Sequence, residues 1–274
     1  MSLAATALQP SPRLAGGVFL VGLWLILAAG AGILAPHDPE AQDLLRLLQP
    51  PSELHWLGTD RLGRDVLSRI IYAARIDLEM GVLAVVPPFT IGCLIGVAAG
   101  AAGGILGALV DCVTDILEAF PRVVLVLAVM AALGADLGSF FTALALVAWP
   151  GYARLTREEW RRMKKSAFVA TAWGLGFGAP RIYLQHILPN TLTPAIACAL
   201  SDTVRILLLA LSIGYFGIGV PAASVEWGSM IAEGQALLPE AWWICLFPGL
   251  AAVLLALGLT WLADGAAARL QARS

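Results

Sequence analysis

Long apolar runs separated by short polar stretches set the pattern of this chain. Residues 14–35 are apolar except for their closure, where Pro36 and Asp38-Pro39 end the run. Residues 80–110 carry no charge at all, and further apolar runs cover 139–152, 191–213 and the stretch from Trp242-Trp243 to just before Asp264. One crossing of the hydrocarbon core takes about 20 apolar residues, so the pattern predicts an all-α membrane protein with about six transmembrane helices. The first run is longer than the roughly 7–15 apolar residues at the centre of a signal peptide and reads as a retained helix. The uncharged stretch 80–110 is too long for one straight crossing and too short for two. Helix 2 is therefore expected over 78–102, kinked at Pro87-Pro88, where a backbone donor is missing and the ring crowds the preceding turn. It should end at Gly103-Gly104, with helix 3 beginning near Ala108. Two regions follow: 1–77, with the first helix and a long outer loop, and a core of 78–274.

Composition supports this reading. The chain is 59% hydrophobic and 13% charged, with a mean hydropathy of +0.82, whereas soluble domains are roughly 25% charged. No separate soluble domain fits. The net charge of −2 says less than where the charges lie. Residues 154–190 hold Arg154, Arg157, Arg161, Arg162, Lys164, Lys165 and Arg181, seven of the 17 basic residues. Translocated loops are depleted in Lys and Arg, so this stretch reads as a cytoplasmic loop. With both termini cytoplasmic, ten basic residues lie inside (Arg13, these seven, Arg269 and Arg273) against five outside: Arg46, Arg61, Arg64, Arg69 and Arg75. Within the loop, helix formers run to Trp173, glycines follow at Gly174, Gly176 and Gly178, and Pro180 stands where proline is tolerated, in a first helical turn. The expected unit is helix, glycine elbow, helix.

Charged residues inside the spans are the next candidates. Asp111, Asp115, Glu118 and Arg122 share one face of helix 3, with Glu118 and Arg122 in the favourable order for a pair; that face is either solvated or set against another subunit. Helix 4 is placed at 139–152, with Trp149 and Tyr152 at the water interface. Asp202 and Arg205 lie one turn apart in helix 5, where ionisable groups face a protein interior or a water path. They read as a mutual pair, with lining of the pathway as the alternative. Glu226 and Trp227 are either part of an outer gate or a loop anchored by an interfacial tryptophan. The four cysteines lie in or beside apolar spans without metal spacing, and His37, His55 and His186 are far apart in the chain. Neither a disulfide nor a metal site is expected, and no nucleic-acid surface. No catalytic motif is present, and Lys165-Ser166 lacks the glycines of a phosphate loop.

The central loop resembles the EAA loop of ABC importer membrane subunits. The likeness rests on Ala170-Thr171-Ala172, Gly176 and the run His186-Ile187-Leu188-Pro189-Asn190. Four further segments resemble the dipeptide/oligopeptide/nickel permeases of the C-subunit type: HWLGTDRLGRDVLSR at 55–69, AFP at 119–121, GIGVPAASVEWGSMIAEG at 217–234 and LFPGLA at 246–251. The resemblance covers roughly 50–265 and implies a MetI-like ABC type I importer permease fold in the bacterial inner membrane. It further implies a homologous permease partner, an extracytoplasmic binding protein, and cytoplasmic ATPases that bind the ATP and magnesium this chain does not. The coupling residues it implies are Ala170, Thr171, Ala172, Gly174, Gly176, Pro180, His186 and Pro189. The chain departs from the pattern at Ala170 and Ala210, where relatives carry Glu. The rival readings are a self-contained channel or secondary transporter, for which no inverted repeat is visible, and an intramembrane enzyme, for which the catalytic groups are missing. For 55–69 a structural capping role is expected, against a solvated segment at the outer surface.

Overall fold

The computed structural model describes residues 12–218 and 225–271. Residues 219–224 of the 217–234 stretch, the first eleven residues and Arg273 of the tail lie outside the described part. Helix α1 is Pro12–Ala29, followed by one turn at Ala31–Leu34. An irregular segment leads to α2, Val66–Val82, which begins at Asp65, whose carboxylate accepts the Ser68 N–H. A tight turn at Leu83–Val85 joins α2 to α3, Val86–Ala102, and Pro87-Pro88 occupy the first positions of α3. The break therefore falls where the two missing donors put it. The rod nevertheless starts twelve residues earlier than expected. Arg69 and Asp77 marked 66–77 as loop by their charge, but both are buried and partnered inside the fold.

The turn at Gly103-Gly104 stands as expected and opens α4, Gly104–Glu118. Helix α5, Arg122–Leu133, meets α4 at an angle of 89°, because Pro121 interrupts the helix at the A-F-P run. Glu118 and Arg122 are thus on separate helices and do not form the expected pair. Asp136 caps α6, Leu137–Val147, and Pro150 opens α7, Trp149–Lys164. The break at Ala148 corrects the single expected helix over 139–152. Tyr152 is buried rather than interfacial. Helix α8 is Ala167–Gly174; a short turn at Ala179–Arg181 and a wider π turn at Ile182–Ile187 then run unbroken into α9, Leu188–Tyr215. Helix α10 is Trp227–Gln235 and α11 is Trp243–Gln271, which continues past the predicted end at Asp264.

Among the described residues, four stretches are long and apolar enough to cross a membrane: Pro12–Ala29, Val66–Ala102, Ala179–Tyr215 and Trp243–Arg269. The bent pair α4 and α5 passes the same test only if its two halves are taken together, which brings the number to at most five. Six were expected. The expected helix 4 falls on α6, whose eleven residues rise only about 16 Å, and on the first turn of α7, so it does not stand as one long span.

Two apolar cores hold the helices. In the first, Trp24, Ile70, Leu207, Trp227, Met230, Ile244 and Leu255 bring together α1, α2, α9, α10 and α11. In the second, Met80, Val126, Met130, Phe140, Leu144, Tyr152 and Ile206 join the α2–α3 break to α5, α6, α7 and α9. The most extensive helix contact is α3 on α7. There Gly92, Gly96 and Gly100 recur every four residues, and a Cβ on the first two would run into Trp149, Tyr152, Ala153 and Thr156. Small residues at this spacing let two backbones approach closely.

Candidate functional site

Helices α7 and α8 and the turn at Ala179–Arg181 form the predicted elbow. Lys165 ends α7, and Ser166 caps α8 by accepting the Val169 N–H. After α8 the chain reverses at Gly176, whose φ of +80° an L side chain adopts only with strain. The Gly176 N–H donates to the Trp173 carbonyl and the Phe177 N–H to the Ala172 carbonyl, closing the end of the helix. Gly178 and Pro180 then start the next helical turn.

This elbow has a small core of its own. Trp160, Val169, Ala172, Ile182 and Ile187 are buried together, with Val97, Met163, Phe177, Tyr183 and Leu188 packed around them. His186 meets the edge of Phe168 and stacks on Phe177, with ring centroids 5.2 and 6.3 Å apart, and the Arg181 guanidinium lies 4.4 Å from the Phe177 centroid. Asn190 donates to the His186 carbonyl. On the other side of α8 the apolar residues are open: Phe168 is 54%, Trp173 47% and Leu175 69% exposed. An eight-residue helix thus stands on a packed base and presents two aromatic rings and a leucine outward.

The expected coupling residues divide accordingly. Ala170, Thr171, Gly174 and Gly176 lie on the open face, Pro180 and Pro189 are exposed, and His186 is half-buried. Ala172 is buried in the base. Phe168, Trp173 and Leu175 were not among the expected residues, although their place after the Ser166 cap was the available signal.

The basic residues of α7 have specific partners as well. Arg154 reaches Asp115 at 2.5 Å and Glu118 at 3.0 Å, and Arg157 contacts Asp111. The acidic face of α4 is therefore answered in part within the chain, by α7, while Asp111 and Asp115 keep half or more of their side chains exposed, as a solvated face would.

At the opposite end of α2, residues 55–69 form a cap and not a solvated segment. Asp60 receives Arg64 at 2.6 Å and Arg69 at 2.7 Å, and both arginines also reach Glu233 of α10 at 3.1 and 3.0 Å. Thr59 O accepts from the Trp243 indole N–H. Gly63 turns at φ +74° directly against the Asp43 carbonyl, where no side chain has room. The predicted capping role is met literally by Asp65. His37 and His55, eighteen positions apart in the sequence, lie side by side here with ring centroids 4.7 Å apart. That corrects the reading that the histidines do not cluster.

Glu226 and Trp227 belong to this packing too. Glu226 caps α10, accepting the Gly228 and Ser229 amides, and its carboxylate fills the space over Gly214. Burial pushes its carboxyl above the ordinary range, and the two amides oppose that rise. Trp227 is fully buried, not interfacial: its backbone N–H donates to Asp77, its indole N–H to the Ile70 carbonyl, and Trp24 meets its ring edge-on. Asp202 and Arg205 are paired at 2.9 Å as expected, but only Asp202 is buried, and Tyr152 Oη also donates to it at 2.8 Å.

A bundle of apolar spans with an aromatic-tipped elbow between two of them defines a multi-pass membrane protein with a docking element. Its sequence relatives say which kind. Residues 92–274 match the family described as binding-protein-dependent transport system inner membrane component. The chain is 37% identical over 260 residues to the Escherichia coli K12 protein titled "Probable D,D-dipeptide transport system permease protein DdpC", covering 94% of this chain and 87% of that one. It is 34% identical over 249 residues to the dipeptide transport system permease protein DppC of Alkalihalophilus pseudofirmus, covering 91% and 82%. With the di/tripeptide transport system permease protein DppC of Pseudomonas aeruginosa the identity is 36% over 256 residues, covering 91% and 84%. The chain belongs to the binding-protein-dependent transport system inner membrane component family and is a multi-pass permease of the bacterial inner membrane, not an enzyme.

Proposed function

We propose that this chain forms half of the translocation pathway of an ATP-driven importer of short peptides, alongside a homologous permease subunit. Peptides are delivered by an extracytoplasmic binding protein, and cytoplasmic ATPases bind the ATP and magnesium. The relatives' titles favour a peptide substrate. The observation that carries the coupling role is α8: an exposed apolar face on a short helix whose back is fixed to α7 and α9 by the Trp160–Ile182–Ile187 core. Exposed aromatic and aliphatic anchors of this kind suit a pocket on a partner protein. Force applied to α8 would reach the membrane helices through that core, because Val169 and Ala172 of α8 pack against Ile182 and Ile187 at the root of α9.

Two substitutions test this. Trp173→Asp removes an exposed ring without touching the core, and Gly176→Val strains the turn that aims α8. Both variants are expected to reach the membrane at wild-type levels and to co-purify with the second permease. Both should lose the ATPase subunits or substrate-stimulated hydrolysis. Normal ATPase recovery and normal stimulated hydrolysis in both variants would remove α8 as the coupling element. Transport by the purified chain without any ATPase would instead support a self-contained channel.

A further inference from the structure

We infer that His37, His55 and Asp65 form a binding site for a divalent transition-metal cation of the zinc class, at the outer cap of α2. The three side chains come from separate pieces of chain: the stretch after α1, the irregular segment before α2, and the capping position of α2 itself. Each offers one donor atom, and the three atoms lie within 4.8 Å of one another. Asp65 Oδ1 is 2.9 Å from His55 Nδ1 and 3.8 Å from His37 Nδ1. In a tetrahedral zinc site with metal–donor bonds of about 2.0–2.1 Å, donors stand about 3.3–3.4 Å apart. The two separations bracket that value and the third lies within 4.8 Å, so side-chain rotation has to draw the donors together by no more than about 1.5 Å.

Three features prepare the cluster for a cation. The Asp65 carboxylate is already oriented, because its Oδ2 accepts both the Ser68 N–H at 2.8 Å and the Ser68 hydroxyl at 2.7 Å. Its Oδ1 is left facing the two rings. Such outer hydrogen bonds to a ligating carboxylate fix its direction and raise metal affinity. His37 Nδ1 is buried without a hydrogen-bond partner, although the side chain as a whole is 35% exposed. That exposed edge lines an open pocket of about 550 Å³, shared with Asp38, Glu40 and Tyr72, which gives a cation a path in past two carboxylates.

Two imidazole nitrogens and one carboxylate oxygen form a borderline donor set. It suits zinc or cobalt and disfavours calcium and magnesium, which take oxygen ligands almost throughout. On binding, neutral His55 carries its proton on Nε2 so that Nδ1 can ligate, and a fourth position remains open to water from the pocket. The consequence is mechanical: the metal ties the stretch after α1 to the start of α2, next to the Asp60–Arg69–Glu233 cluster.

The test uses the full chain purified through a tag that contains no histidine. Co²⁺ titration followed by visible absorption, with Zn²⁺ as competitor, should show one tight site per chain. His37→Gln should lower the affinity by at least the roughly 10–100-fold that loss of an outer partner costs. This variant keeps the hydrogen bond that the His37 backbone N–H donates to Ser68 Oγ. His186→Gln, in the elbow, should leave binding unchanged. Zn²⁺ should also raise the thermal midpoint of the wild-type chain and not that of His37→Gln, since a cation that binds only the folded state stabilises it. No stoichiometric site, equal binding by wild type and His37→Gln, or loss of binding in His186→Gln would each overturn the assignment.

Discussion

Asp202 and Arg205 are one helical turn apart, and their surroundings are opposite. The Asp202 side chain is 9% exposed and the Arg205 side chain 72%. A pair with one exposed member contributes at most about 1 kcal/mol, so the two residues are unequal. Arg205→Gln is expected to leave the yield and thermal midpoint of the chain nearly unchanged, because Asp202 keeps the Tyr152 hydroxyl. Asp202→Leu strands that hydroxyl in a buried site, with a loss of about 1–3 kcal/mol. Adding Tyr152→Phe to Asp202→Leu should recover part of it. Equal losses in the two single variants would show that the pair is buried in the assembled protein after all. The spacing of Asp202 and Arg205 was legible in the sequence; Tyr152, fifty positions away, was not, because only the packing of α7 against α9 brings it there. The same holds for Glu226. Its place before W-G-S marked a candidate, but its role as the cap of α10 under Gly214 depends on a contact between helices.

Among the elements, those marked by backbone chemistry were predicted and those marked by burial were not. Gly176, Pro180, Gly103-Gly104 and Pro87-Pro88 act through local dihedral and hydrogen-bond constraints that one sequence displays directly. The start of α2 was missed because Arg69 and Asp77 look solvated until their partners are known. The run GCLIGVAAG at 92–100 was legible as helix but not as a seam, since its apolar composition fits lipid equally well. A Cβ at Gly96 meets the Ala153 backbone and the Thr156 hydroxyl, whereas one at Gly249 of α11 meets nothing within 4 Å. Gly96→Leu should therefore separate α3 from α7, with a loss of at least about 1–3 kcal/mol and a clear fall in folded yield. Gly249→Leu should behave like wild type. Comparable thermal midpoints for the two variants would mean that α3 and α7 are not in close contact.

At the scale of the molecule, the apolar pattern identified the class of protein and overstated its regularity. Hydropathy counts residues and is blind to a bend, so the 89° corner between α4 and α5 and the shortness of α6 were invisible to it. Orientation is open to direct measurement. Once the four free cysteines are replaced, Arg162→Cys and Leu45→Cys are expected to react with an impermeant thiol reagent from opposite sides, Leu45→Cys in intact cells. Labelling of Arg162→Cys in intact cells would invert the arrangement.

The rod Val66–Ala102 joins the two ends of this layout. Its N-terminal half, α2, is held to α10 by Arg69 and Glu233, its C-terminal half, α3, to α7 along the glycine seam, and the turn at Leu83–Val85 lies between halves of seventeen residues each. Each half is about 25 Å long. The two halves therefore reach equally far on either side of the turn. A change of about 10° in the bend at that turn would shift the tip of one half relative to the other by about 4 Å.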